Sequence, residues 1–208
     1  MYSKKPLQKF LDDLSSKLPA PGGGAAASLT GALGAALVSM VANFTVGNEK
    51  YKNVEAEIAP VLNMTESIRN KLTKLIQADV DAYSKFSIAY KLPKTTDKEK
   101  HSRQLAIESA AKDALEVPMQ IAICCYEILK LCPILLEKGN PNLVSDVGCS
   151  AILANAGIKL AYLNVKINMS SITDEIFKRK KIKAIEFMLN DGEKFTRSLV
   201  NGTLNKIK

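Results

Sequence analysis

The sequence has no tryptophan, and His101 is its single histidine. That imidazole stands in a charged, loop-like stretch, Lys98-Glu99-Lys100-His101-Ser102-Arg103. The four cysteines, at 124, 125, 132 and 149, contain no CxxC pair. Their spacing excludes a zinc constellation and does not resemble a secreted disulfide framework. The opening Met1-Tyr2-Ser3-Lys4-Lys5-Pro6 lacks the apolar run of a signal peptide, so the expected compartment is the reducing cytoplasm. No alternating strand pattern of useful length occurs, and no linker, low-complexity tract or internal repeat interrupts the chain.

Net charge is +8, yet the basic residues are spread out and the densest run is Lys178-Arg179-Lys180-Lys181. Six tyrosines and six phenylalanines are not interleaved with basic residues as base stacking would require. The expectation is a lysine-rich solvated surface or steering of a polyanionic small substrate, with no nucleic-acid partner.

What is present is helical. Residues 18–48 carry no charged side chain and open on Pro21-Gly22-Gly23-Gly24. Such a stretch is long enough for a membrane span. Its apolar weight comes from alanine, however, and Ser28, Thr30, Ser39 and Asn43 interrupt it. The expectation is a buried central helix, with no membrane partner. Three glycines allow close approach to a ligand, and a helix starting behind them would turn its free N–H groups toward an anion. The motif is neither GxGxxG nor a Walker sequence.

A short amphipathic helix over Leu7, Phe10, Leu11 and Leu14 precedes this segment, which runs to about Val46 before Gly47-Asn48 ends it. Val54 to Tyr90 reads as a long helix containing Pro60, and Thr96 with Glu99 makes a capping box for the next. Pro118 either starts or bends a further apolar helix toward Leu136. Leu143 to Ile167 is a second small-residue-rich helix, for which Asn142 or Ser145 is the expected N-cap. Thr173-Asp174 offers cap chemistry for a last, charged helix. The predicted fold is an all-α, single-domain bundle over 1–208, with long, partly kinked helices, dimeric because its apolar helices have few aromatics and need cover.

The informative polar residues adjoin apolar faces. Asp79 and Asp81, two apart, point in different directions on a helix and cannot be a paired couple. Lys91 and Lys94 flank Leu92-Pro93 at a helix end, where lysine either favours the dipole or, beside apolar surface, exchanges protons. Asn164 and Asn168 share one face among Leu160, Leu163 and Ile167, and need partners in another helix or in a polar heterocycle.

Over nearly its whole length the chain resembles the cyclodeaminase/cyclohydrolase family of tetrahydrofolate enzymes, and is similar to the C-terminal domain of formiminotransferase-cyclodeaminase. The resemblance rests on Pro19-Ala20-Pro21-Gly22-Gly23-Gly24, Gly31 to Leu37, Met40-Val41, Ala78-Asp79-x-Asp81-Ala82-Tyr83, Lys91-Leu92-Pro93-Lys94-Thr95, Val117-Pro118, Gly139-Asn140, Ser145-Asp146, Asn164-Val165-x-Ile167-Asn168 and Thr173-Asp174-Glu175-x-Phe177. It implies an all-helical homodimer that binds folate, often polyglutamylated, and acts on the one-carbon unit at N5 and N10 without metal or further cofactor. Of the two chemistries, cyclodeaminase (5-formiminotetrahydrofolate to 5,10-methenyltetrahydrofolate and ammonia) is the expected one and cyclohydrolase (5,10-methenyl- to 10-formyltetrahydrofolate) the alternative. A non-catalytic helical interaction module stands behind both. The expected site has Asp79 or Asp146 as proton acceptor and pterin anchor, and Lys91 as proton donor or electrostatic partner. Ser145, Asn164 and Asn168 orient the substrate, with Gly22, Gly23 and Gly24 lying against it.

Overall fold

Six helices carry the chain in a computed structural model that describes residues 1–207. They are α1 (Leu7–Ser15), α2 (Gly23–Asn43), α3 (Glu55–Tyr90), α4 (Asp97–Lys138), α5 (Val144–Met169) and α6 (Glu175–Lys206), with no strand among the described residues. Helix α2 packs on α3 and α5, and α4 joins α3, α5 and α6 into one bundle.

Small residues decide how close the central helices come. A Cβ on Gly31 of α2 would lie 2.6 Å from the Cys125 sulfur, and one on Gly157 of α5 would lie 2.5 Å from the same atom. The α4 thiol is thus seated between two glycines, one from each neighbour. Buried hydroxyls are satisfied across the same seams: Ser28 donates to the Leu72 carbonyl at 2.6 Å and Ser150 to that of Gly34 at 2.8 Å. By length and composition α2, α4 and the stretch Pro141–Met169 could each cross a membrane. Here their apolar faces meet one another in the bundle, with Val38, Leu129 and Ile158 fully buried.

The caps follow local chemistry. Thr96 and Glu99 form the expected capping box of α4, and Asp174 accepts the Phe177 N–H to start α6. Neither Asn142 nor Ser145 caps α5. Asn140 accepts the Asn142 N–H ahead of Pro141, which begins the helical winding early and leaves Ser145 exposed inside the first turn of α5. Of the two expectations for Pro118, the helix start fails, since α4 continues through it. Proline has no N–H for the carbonyl four residues back, that of Ala114. That carbonyl is met from outside the helix, by the Asn168 amide at 3.2 Å.

Candidate functional site

Around the start of α2 the chain leaves a cleft of about 500 Å³, lined by Gly22, Gly23 and Gly24, by Asp79, Tyr83, Phe86 and Tyr90 of α3, and by Asn164 and Asn168 of α5, with Ala114 and Ser171 at its edges. The start of α2 is anchored from behind, where Phe10 of α1, Ala25 and Ile76 of α3 form a small apolar cluster.

Gly22 brings no side chain to cap α2. Asp79 does this from the neighbouring helix: the Ala25 N–H donates to its Oδ2 at 2.9 Å. The close approach needs glycine, because a Cβ on Gly24 would stand 2.0 Å from Asp79 Oδ1 and one on Gly23 would stand 3.3 Å from Asn164 Nδ2. The anion expected at this helix start is therefore in part the protein's own carboxylate. Desolvation pushes the Asp79 pKa upward, and the Ala25 N–H only partly opposes that shift. A carboxyl that holds its proton more tightly, open to a cleft, is equipped for proton transfer.

Both asparagines turn their nitrogen away from ligand duty. Asn164 donates to the Leu160 carbonyl at 2.8 Å and Asn168 to that of Ala114. Backbone carbonyls only accept, so the amide orientations follow from chemistry. The two Oδ1 atoms keep their acceptor capacity.

Of the residues nominated from sequence, Gly22, Gly23, Gly24, Asp79, Asn164 and Asn168 come together here. Lys91, Ser145 and Asp146 do not line the cleft. Lys91 is exposed at the end of α3, one residue past Tyr90. Ser145 and Asp146 lie in the first turn of α5, and the nearer, Asp146, is 18 positions or about 27 Å from Asn164 along the helix. The aromatic wall was not nominated, although Asp79, Tyr83, Phe86 and Tyr90 recur at helical spacing on one face. The turn after α5 is a further unforeseen part. Glu108 accepts from the Thr173 hydroxyl at 2.5 Å and the Asp174 N–H at 3.3 Å, while Lys112 donates to Asp174 at 2.9 Å. This clamp fixes the turn that carries Ser171.

An aromatic-walled cleft with a few convergent polar groups, set between helix ends, defines an all-α protein with a small-molecule site. The chain belongs to the formiminotransferase-cyclodeaminase family, whose model matches residues 6–186. It is 40% identical over 207 residues to methenyltetrahydrofolate cyclohydrolase of Methylorubrum extorquens, covering 100% of both chains. It is 32% identical over 202 residues to formimidoyltransferase-cyclodeaminase of Rattus norvegicus, covering 97% of this chain and 37% of that protein, so it spans little more than a third of the longer relative. The crystal structure of formiminotetrahydrofolate cyclodeaminase from Thermotoga maritima superposes with a TM-score of 0.83 at 30% identity, covering 99% of this chain and 97% of that one.

Proposed function

We propose that this protein is a methenyltetrahydrofolate cyclohydrolase that opens the 5,10-methenyl bridge to 10-formyltetrahydrofolate. The observation that carries the reading is the 40% identity, over the full length of both chains, to a protein of that name. It displaces the cyclodeaminase expectation in favour of its alternative. The cyclodeaminase reading stays as the second, favoured by the superposed Thermotoga structure.

The cleft supports either chemistry with one proton carrier. In the cyclohydrolase, water attacks the bridging carbon and the amidinium π electrons settle on nitrogen, while Asp79 takes a proton from the water. The tetrahedral carbon then expels N5 with a proton returned from Asp79, and the hydroxyl proton leaves to solvent as the formyl C=O forms. In the cyclodeaminase, Asp79 takes the N10 proton as N10 attacks the formimino carbon, then passes it to the departing ammonia. An elevated carboxyl pKa suits a group that must both accept and return a proton. Tyr83, Phe86 and Tyr90 offer faces for a pteridine or aminobenzoyl ring.

We read the apolar side chains left in solvent on α2 and α5, Leu33, Ile152, Leu163 and Ile167, as the contact of a homodimer. A reducing cytoplasm fits the four free thiols. The test is an assay of the purified protein with 5,10-methenyl- and 5-formiminotetrahydrofolate, followed by methenyl absorbance. Loss of absorbance from the first substrate is expected; gain from the second alone would reverse the assignment.

A further inference from the structure

The α4 helix carries Pro118 in its interior, one turn past Ala114 of the cleft. Its neighbours on both sides are helical, and the helix runs from Asp97 to Lys138 as one element. What Pro118 changes is the hydrogen bonding of Ala114, whose carbonyl would otherwise accept the N–H at position 118. Both Ala114 and Asn168 line the cleft, and the orphaned carbonyl is the acceptor for Asn168 Nδ2. An amide is planar, so fixing its nitrogen fixes its oxygen. No hydrogen bond reaches Asn168 Oδ1 or Asn164 Oδ1 among the described residues.

We propose that Pro118 is a positioning residue: by denying Ala114 its helical partner, it holds the Asn168 amide with Oδ1 free to accept an N–H from the bound ligand. Asn164 Oδ1 lies one helical turn away on α5 and lines the same cleft. Together the two amide oxygens select a ligand edge rich in N–H donors and leave Asp79 to the proton transfers. The amino and ring N–H groups of a reduced pterin are such an edge; in naming it, the inference rests on the proposed function.

With alanine at 118, the backbone N–H returns and Ala114 closes its own helical bond. The Asn168 amide then loses its tether and can turn its nitrogen toward the ligand's donors. The test is a cycle of Pro118→Ala, Asn168→Ala and the double variant, measured with whichever folate substrate the wild type turns over. Each single variant is expected to raise KM about tenfold with kcat within about twofold, and the double variant no further than either single. A thermal melt no lower for Pro118→Ala would show that the binding loss is not a folding loss, since proline is the poorer helix former. Wild-type KM in Pro118→Ala, or effects that multiply in the double variant, would overturn the positioning role.

A second reading needs no substrate. In the wild type the Asn168 side-chain NH2 should be protected from hydrogen exchange, and in Pro118→Ala it should not. Equal exchange in the two overturns the proposal whatever the kinetics. If the wild type turns over neither folate, the proposed function falls, and the exchange measurement alone decides the role of Pro118.

Discussion

Asp79 occupies the space that a side chain at position 24 would need. The 2.0 Å between Asp79 Oδ1 and a Cβ on Gly24 makes the glycine and the carboxylate a matched pair, each setting the place of the other. The carboxylate caps α2 from outside its own helix, so the acid, the start of α2 and the cleft wall move together or not at all.

Gly24→Ala is expected to destabilise by about 1–3 kcal/mol through overpacking and to cut turnover at least about tenfold by displacing Asp79. Gly22→Ala meets nothing within 4 Å and has an ordinary φ of −136°, so its melting temperature should match the wild type while KM rises. Thermal melts of the pair decide this, and equal melting of both variants would show that the turn yields more easily than its packing implies.

Asp79→Asn should lower kcat about 10²–10⁴-fold with little change in KM. Burial raises the Asp79 pKa in the folded chain above its ordinary value of 3.8. Between those two values the folded state binds more protons than the unfolded, so this group's contribution to stability falls as pH rises through the window. The asparagine variant escapes that loss. It is expected to be more stable than the wild type at neutral pH, with the gap closing on acidification. Denaturant titrations from pH 3.5 to 7 test the sign.

Glu108→Gln should loosen the turn that carries Ser171. Hydrogen exchange at residues 170–174 should quicken, with KM rising about threefold and kcat holding. The Thr173 hydroxyl and then Lys112 hold the Glu108 carboxyl below its ordinary value of 4.5, so the clamp is complete above that pH and weakens as pH falls toward the lowered pKa. Exchange unchanged by the substitution would mean that packing alone holds the turn.

Asp146→Asn tests whether one chain completes the site. Because Asp146 sits about 27 Å from Asn164 along α5, kcat/KM should stay within about threefold of the wild type. A loss of two orders of magnitude would show that a second subunit supplies this helix start to the cleft.

The helices were legible wherever periodicity and caps agreed, as at Thr96-Glu99 and Asp174. Pro118 shows where local reading stops. The sequence alone leaves start and bend open, and the amide that meets the freed Ala114 carbonyl lies 54 positions away from it. The site was legible as a set of polar residues in apolar settings, which picked out Asp79, Asn164 and Asn168. It was not legible as a place. Nothing along the chain says that Asn164 and Asn168 face Asp79 across one cleft, or that Glu108 of α4 meets Thr173 in the α5–α6 turn. Distance belongs to the tertiary structure.

The thiol seated between Gly31 and Gly157 makes Cys125 a built-in clock for opening of the bundle. Cys124, Cys125 and Cys132 are fully buried, with pKa values raised by desolvation, whereas Cys149 is exposed. A thiol reagent will therefore mark Cys149 in the native protein at once. It can reach Cys125 only when α2 and α5 part from α4. The rate of that second labelling reads out the separation of the central helices in the unmutated chain, with no probe added to the core.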